Sequence, residues 1–218
     1  MISGIKDPDN GDIFLNNKSL ITNKDYLFEY IGLCSQEDIF FDYLTVEEHL
    51  KYMSEIKGNK VNINEINDLL TKLDLNSKKK SICETLSGRQ KRKLCIALAL
   101  IGNSTLILLD EPTSGMDVIA KRALWQFLKG YKKDKIIILT THSLDEAEYL
   151  GDRIGIISEG HYICSGTSSY LKNKYPYGYN INLILNSNKF TKENKDNFLN
   201  EVKNIIILNL KLKYSLKI

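Results

Sequence analysis

Two short, wholly apolar segments separated by a helical pattern constrain the fold of this chain more than any other feature. Residues 106–109 and 136–139 are unalternated runs of leucine and isoleucine, which is typical of strands covered on both faces in a parallel sheet. Between them, residues 118–131 place apolar side chains at helical spacing, and a strand–helix–strand unit of this kind joins parallel strands. We therefore predict an α/β fold around a parallel sheet.

The composition narrows the classes of protein to consider. With 218 residues and 43% hydrophobic content, the chain is long enough for one substantial core, or for a core with a small appendage. The net charge of +3 is spread over 30 basic and 27 acidic residues, so nothing predicts a nucleic-acid partner. No run of about 18 apolar residues occurs, and we expect any membrane to be crossed by another chain or another segment.

The cysteines and histidines do not predict a metal site. Cys34, Cys83, Cys95 and Cys164 form no C-x-x-C pair, and the three histidines are widely separated in the sequence. We interpret the cysteines as reduced cytosolic thiols, and we expect no metal to be held by protein ligands alone.

Periodicity predicts the remaining elements. Apolar segments predict strands at residues 12–16 and 30–34, and a hairpin of 153–158 with 161–164 around Glu159-Gly160. Helical spacing predicts helices at 46–58, 63–73, 90–101 and 143–150. Thr45 caps the first of these helices, and Ser143 begins the last with a capping box to Glu146.

Two of these predictions concern position in the fold. The helix at 90–101 is expected to begin in water at Lys91, Arg92 and Lys93 and to end buried. After a change of composition at 175–178, we predict a strand at 181–185, a helix at 192–202 and a further apolar segment at 205–212.

Two carboxylates follow the first apolar run directly. Asp110 and Glu111 are therefore expected at the carboxyl end of a parallel strand, where open α/β sheets bind ligands. A magnesium ion bound to nucleotide phosphates keeps several waters, so one aspartate suffices to hold it. The next carboxylate is then placed to orient or deprotonate a water.

An ordered series of motifs accompanies these carboxylates. It comprises residues 32–36 (GLCSQ), 41–50, 86–90 (LSGRQ), 91–94 (KRKL), 110–117 (DEPTSGMD) and 151–154, with His142 just past the second apolar run. In these motifs and their order, the chain resembles the ATP-binding cassette family, most closely its large lipid-transporting, or A-type, members. The resemblance extends from about residue 13 to about residue 178.

The resemblance assigns roles to individual residues. It implies that Gln36 is the glutamine that senses magnesium and the reacting water and links the site to the transmembrane part. Asp110 would hold magnesium, Glu111 would be the catalytic base, and His142 would contact the terminal phosphate of ATP. Asp117 would end the loop that crosses the interface between two cassettes.

Residues 86–90 match the family signature LSGGQ at four of five positions. The resemblance implies that Ser87, Gly88 and Gln90 bind the nucleotide held by the opposing cassette, because a helix N-terminus presents free N–H groups to phosphate. Arg89 replaces the second glycine. We expect its bulk to weaken ATP-driven closure of the cassette dimer, since the family makes this contact through the backbone.

The resemblance also implies an architecture and partners. The expected fold is a three-layer α/β P-loop ATPase core over residues 1–178, with a helical subdomain at about 45–103 and the beginning of an α+β regulatory appendage at 179–218. The implied cofactors are ATP and Mg²⁺. The implied partners are a second cassette, arranged head to tail, and a transmembrane domain, which would place the chain at the cytosolic face of a membrane.

One family motif is absent. No G-x-x-x-x-G-K-[ST] occurs in these 218 residues, and Lys18-Ser19 follows Asn16-Asn17 without a glycine loop. We therefore expect the core to lack its first strand, phosphate loop and helix, and the 218 residues alone not to bind ATP appreciably.

Three interpretations of the chain are open. In the favoured one, the chain is part of a larger transporter whose phosphate loop and membrane helices lie elsewhere. The alternative is a catalytically inactive, stand-alone regulatory or partner-binding module. A cassette ATPase of DNA repair or translation fits less well, because its coiled-coil insertion or second cassette would not fit in 218 residues.

Overall fold

The computed structural model describes residues 1–24, 29–102, 104–132 and 135–175. In this part of the chain the strands and helices predicted from the sequence follow one another in the predicted order, whereas the strand at Lys18–Ser19 and the helix at Ser168–Lys174 were not predicted. The strands are β1 (Phe14–Leu15), β2 (Lys18–Ser19), β3 (Ile31–Cys34), β4 (Leu106–Asp110), β5 (Ile136–Thr140), β6 (Ile154–Ser158) and β7 (His161–Gly166). The α-helices with fully described bounds are α1 (Val46–Ile56), α2 (Ile63–Lys72), α3 (Gly88–Leu100), α4 (Val118–Tyr131), α5 (Leu144–Leu150) and α6 (Ser168–Lys174).

The chain divides into two compact units, Met1–Asn173 and Lys174–Ile218. The elements predicted at 181–185, 192–202 and 205–212, and with them the appendage at 179–218, lie outside the described residues. No helix in the described part of the chain has the length and hydrophobicity needed to cross a membrane.

A three-stranded sheet in the order β3-β4-β5 carries the parallel pairing predicted from the apolar runs. Its central strand, β4, is paired on both sides, and its four apolar residues are buried. One face of β4 packs on the main core through Ile107 and Leu109, and the other meets a small cluster with Leu15 and Leu20. The prediction of a strand covered on both faces is therefore right for β4.

For β5 that prediction is wrong. Ile137 and Leu139 pack against the main core, but Ile136 is 54% exposed and Ile138 is 40% exposed on the opposite face. Among the described residues, β5 pairs only with β4. No described element fully covers the face of β5 that contains Ile136 and Ile138. The apolar sequence of β5 therefore exceeds what this part of the chain buries.

The helices α1, α2 and α3 form the mainly helical part of the fold. Thr45 caps α1 with a reciprocal capping box to Glu48, and Asn62 caps α2. Their apolar faces meet the almost wholly buried second half of α3, which includes Leu94, Ile96 and Leu100. The helical spacing in the sequence predicted all three helices, with ends within two residues of those observed.

A glycine sets the distance between the sheet and α3. A Cβ added to Gly32, in the middle of β3, would collide with the backbone carbonyl oxygen of Ala99 in α3. Only glycine allows this close approach of strand and helix. The loop after β3 is thereby held against α3.

Two tight turns define the smaller hairpins. Asn16 and Asn17 both have positive φ and join β1 to β2, so Lys18 lies in a hairpin strand. This agrees with the rejection of Lys18-Ser19 as a phosphate loop. The predicted hairpin of β6 and β7 is confirmed, with Glu159 and Gly160 in the left-handed region at its turn.

The capping box predicted at the start of α5 is half confirmed. Ser143 caps the helix by accepting a hydrogen bond from the Glu146 N–H at 3.4 Å. The Glu146 carboxylate does not return to the cap. It is fully buried and accepts a hydrogen bond from Trp125 Nε1 in α4 at 2.8 Å, so a tertiary contact replaces the local one.

Candidate functional site

The candidate site lies at the carboxyl ends of β4 and β5. Asp110 is the last residue of β4 and lies opposite Thr140, the last residue of β5. The Thr140 hydroxyl donates to Asp110 Oδ1. Parallel pairing therefore brings the predicted metal-binding carboxylate to the sheet edge where α/β folds bind ligands.

Glu111 and His142 meet at this edge. His142 Nδ1 lies 2.9 Å from Glu111 Oε2. The imidazole is 81% exposed, whereas the carboxylate is 19% exposed. The two residues are 31 positions apart in the sequence, and the register of β4 with β5 brings them into hydrogen-bond contact.

The backbone of Glu111 has an unusual conformation. Its φ is 48°, in the left-handed region that residues other than glycine rarely adopt. Its N–H donates to the Thr140 carbonyl at 3.1 Å, and its own carbonyl accepts from Ser114 N–H at 3.0 Å. A strained residue held by surrounding hydrogen bonds is common at functional sites.

Gln36 follows β3 at the same edge of the sheet, with an exposed side chain. Among the described residues, no hydrogen bond joins its side-chain amide to Asp110, Glu111 or His142. The backbone carbonyl oxygen of Gln36 accepts from Arg92 Nη1 at 3.2 Å. The structure thus places Gln36 on the correct edge without bringing its amide to the carboxylates.

The predicted nucleotide-binding residues Ser87, Gly88 and Gln90 lie together at the start of α3. Ser87 Oγ accepts from Gln90 N–H at 3.3 Å, and Gln90 Oε1 accepts from Ser87 N–H at 3.0 Å. In this capping box, the side chains of Ser87 and Gln90 both make hydrogen bonds within the same helix. The spacing S-x-x-Q in the sequence would have revealed it, and it moves the helix start from the predicted residue 90 to Gly88.

Arg89 and Asp117 form an ion pair between the starts of two helices. Arg89 Nη2 donates to Asp117 Oδ2, and both side chains are about half exposed. Asp117 is also the N-cap of α4, where Oδ1 accepts from Ala120 N–H at 2.9 Å. That backbone hydrogen bond, together with Arg89, lowers the pKa of Asp117. Sequence reasoning assigned both residues to the cassette interface but did not predict their contact.

The described carboxylates fit a magnesium ion that is bound mainly by phosphates. Asp110 and Glu111 supply oxygen donors at one edge, and in the described ranges no three His, Cys, Asp or Glu side chains converge as metal ligands. Mg²⁺ commonly takes one or two carboxylates plus substrate phosphates and waters. The donor set is therefore suited to a metal that arrives with nucleotide.

Comparisons with known proteins agree with this geometry. The family model described as ABC transporter matches residues 1–114. ABC transporter A family member 2 of Dictyostelium discoideum is 42% identical over 206 residues, which are 91% of this chain and 13% of that protein. Phospholipid-transporting ATPase ABCA3 of Rattus norvegicus is 41% identical over 186 residues, which are 84% of this chain and 11% of that protein. The chain thus spans only a small part of these relatives.

A solved structure supports the fold. A structure titled as the ATP binding subunit of an ABC transporter superposes with a TM-score of 0.71 and 26% identity, over 79% of this chain and 73% of that chain. The predicted cassette ATPase fold is thereby confirmed. Because the family model covers just over half of the chain and the fold agrees, this chain belongs to the ABC transporter family.

Proposed function

We propose that this chain is the larger part of a nucleotide-binding domain that hydrolyses ATP to drive transport across a membrane. The observation that carries the proposal is the meeting of Glu111 and His142, 2.9 Å apart, beside Asp110 at the carboxyl edge of the sheet. These are the residue types that phosphoryl transfer to water requires: a base, a group for the terminal phosphate and a carboxylate for the metal.

Each residue has a distinct part in the proposed reaction. Glu111 engages His142 through Oε2, which leaves Oε1 to orient the attacking water and accept its proton. His142 donates to the terminal phosphate, and Gln36 contributes its amide from the loop after β3. Asp110 would hold Mg²⁺, which would supply charge neutralisation of the phosphates when bound. Ser87, Gly88 and Gln90 present the start of α3 to the nucleotide of the opposing cassette.

The phosphate loop is proposed to come from another segment of the same cassette. These 218 residues hold no G-x-x-x-x-G-K-[ST]. Within the described residues, β5 pairs only with β4, which leaves a strand edge beside the exposed Ile136 and Ile138. A strand, phosphate loop and helix that paired there would cover the apolar face of β5 and place the loop beside Asp110. Such burial would also stabilise the sheet.

The partners and substrate are proposed from the relatives. A relative is named a phospholipid-transporting ATPase, and we propose lipid as the transported class. A second cassette arranged head to tail would meet the surface that contains Arg89 and Asp117. A transmembrane domain would change conformation when the two cassettes close. Contact with that domain would place this chain at the cytosolic face of a membrane.

A catalytically inactive, partner-binding module is the second candidate. The absence of the phosphate loop from the sequence and the ion pair of Arg89 with Asp117 favour it. In that case, the cassette fold would be retained for binding a complete cassette rather than for hydrolysis.

Hydrolysis by a completed cassette tests the two candidates. We would fuse the strand, phosphate loop and helix of a relative ahead of residue 1 and measure Mg-ATP hydrolysis, with Glu111→Gln as the matched control. The proposal expects hydrolysis that the control loses while it still binds ATP. Hydrolysis that is absent from the completed cassette, or unchanged by Glu111→Gln, would contradict a catalytic role and favour the module.

A further inference from the structure

Arg92 is a buried arginine that lies between the loop after β3, which contains Gln36, and the turn after β4, which contains Glu111. It occupies the second turn of α3 and is only 4% exposed, although its neighbours in the sequence predicted a helix start in water. That prediction is wrong for Arg92. A guanidinium in this position is costly to bury unless its donors and its charge are satisfied.

Three of the contacts of Arg92 are with the loop after β3. Arg92 Nη1 donates to the Ser35 carbonyl at 2.6 Å and to the Gln36 carbonyl at 3.2 Å. The same nitrogen lies 3.1 Å from Asp38 Oδ1, which supplies the opposite charge.

The other three contacts of Arg92 are with the end of β4 and the turn that follows it. Arg92 Nη2 donates to the Glu111 carbonyl at 2.9 Å and also to the Asp110 carbonyl. Nε donates to the Pro112 carbonyl at 3.2 Å. All three side-chain nitrogens are used, and five of the six acceptors are backbone carbonyl oxygens. The guanidinium therefore fixes backbone positions rather than pairing chiefly with another side chain.

This arrangement bears on the strained backbone of Glu111. Glu111 has a φ of 48°, and a non-glycine residue keeps such a conformation only where neighbouring groups hold it. The Thr140 carbonyl holds its N–H, and Arg92 holds its carbonyl. The two peptide groups that flank Glu111 are thus held in place, one by Thr140 of β5 and the other by Arg92 of α3.

We infer that Arg92 is a positioning residue that ties the Gln36 loop to the Glu111 turn, so that the two loops keep one relative position. It does so through a planar fork of three nitrogens that makes six contacts, and a lysine, with three donors on one nitrogen, cannot reproduce that set. The inference rests on the proposed function for the meaning of Gln36 and Glu111 in hydrolysis. The mechanical link itself can be measured without nucleotide.

Hydrogen exchange of the 218-residue chain tests the link. We would follow peptides covering residues 35–43 and 110–116 in wild type, Arg92→Lys and Arg92→Met. We expect exchange in both segments to rise together by about tenfold or more in both variants, since each loses several charge-assisted hydrogen bonds. Wild-type exchange in Arg92→Lys would overturn the inference, as would loosening of one segment while the other stays protected.

Three controls separate this link from general destabilisation. Arg122→Lys makes the same substitution at an exposed arginine of α4 and should change neither segment. Leu69→Ala removes core volume from α2 and should raise exchange there more than in the two loops. Asp38→Asn removes only the opposite charge, and we expect a smaller effect than Arg92→Lys. An equal or larger effect of Asp38→Asn would show that charge pairing, not the fork of donors, holds the loops.

Activity supplies a readout that a purely structural role would not move. In the completed cassette, Arg92→Lys should lower kcat for ATP hydrolysis more than it raises KM, since Glu111, whose backbone Arg92 holds, acts in the chemical step rather than in ATP binding. Equal losses in kcat and in ATP affinity would contradict a positioning role. Because exchange is measured without ATP, a completed cassette that fails to hydrolyse would overturn the proposed function and leave the link independently tested.

Discussion

The Arg89 guanidinium donates to the carboxylate of Asp117, which is the N-cap of α4, and thereby joins the start of α3 to the start of α4. A cation in the first turn of a helix opposes the helix dipole. Asp117 offsets that cost. The ion pair therefore accounts for an arginine where the family signature has glycine, and it sets the first prediction.

Replacing Arg89 by glycine should raise ATP hydrolysis in the completed cassette. The change restores LSGGQ, removes bulk from the surface proposed to meet the second cassette, and frees Asp117 from the pair. Rates of the two versions measured side by side would test this. The control is Arg89→Lys, which keeps a cation near Asp117 and should not reproduce the gain. Equal rates for wild type and Arg89→Gly would remove the idea.

Glu111→Gln should lower hydrolysis in the completed cassette by a factor on the order of 10²–10⁴, the usual contribution of a positioned general base. ATP affinity should change little, because the amide keeps the size of the carboxylate. Thr140→Val serves as a comparison, since it removes the hydroxyl that donates to Asp110 and accepts from the Glu111 N–H but leaves both carboxylates in place. A larger loss in Thr140→Val than in Glu111→Gln would contradict the assigned roles.

Gly32→Ala should destabilise the fold by about 1–3 kcal/mol, because overpacking against backbone cannot be relieved by a side-chain rotation. The added Cβ would meet the Ala99 carbonyl. Gly130→Ala is the matched control: apart from its chain neighbours and its own helix backbone, no heavy atom lies within 4 Å of the added Cβ, and alanine favours a helix by about 0.5–1 kcal/mol over glycine. Denaturant unfolding would measure both. Similar stabilities for the two variants would refute the close approach of β3 to α3.

The buried Lys57 should make stability depend on pH. Its Nζ donates to the Ile101 carbonyl at 3.0 Å and to Ser104 Oγ at 2.8 Å, and burial lowers its pKa to about 8 from 10.5. Between these values the unfolded chain holds a proton that the folded chain has released. The contribution of Lys57 to stability therefore rises with pH across this window and is level below about pH 8.

The comparison with Lys57→Met isolates this effect from other titrating groups. The difference in the free energy of unfolding between wild type and Lys57→Met should shift in favour of wild type by up to about 3 kcal/mol from pH 8 to 10.5. A difference that stays constant, or that shifts towards the variant, would show that Lys57 keeps its proton in the folded chain.

The four cysteines should differ sharply in reactivity. Burial raises the pKa of Cys83 to about 11, which leaves roughly a hundredth of the ordinary thiolate at pH 8. Cys34 is fully buried and Cys95 nearly so, whereas Cys164 in β7 is partly exposed. We expect one equivalent of a thiol reagent to label Cys164 first. Cys164→Ser should then react at least about tenfold more slowly, and equally fast labelling would contradict this.

The sequence predicted those features that depend on local periodicity. Thr45 capping α1, the buried run of β4 and the two-residue turn at Glu159-Gly160 each follow from neighbouring residues. The contacts of Arg92 could not be predicted in this way, because Lys91 and Lys93 on either side suggest a wet surface. Their acceptors come from two loops 54 to 57 and 18 to 20 positions away.

The exposed face of β5 illustrates a second limit. The apolar pattern of a strand indicates which side chains could be buried. Whether they are buried depends on the elements that pack against the strand. Ile136 and Ile138 are as apolar as Leu106 and Leu108 of β4, yet only the latter are covered by described residues. The contact of Glu111 with His142 was not predicted from the sequence, because it depends on the register of β4 with β5.

The central claim is that the reacting groups are assembled in this chain while the phosphate loop is not. Calorimetric titration of Mg-ATP into the 218-residue protein and into the completed cassette tests it most directly. The account predicts no appreciable binding by the 218 residues alone and saturable binding by the completed cassette. Tight Mg-ATP binding by the 218 residues alone would contradict it.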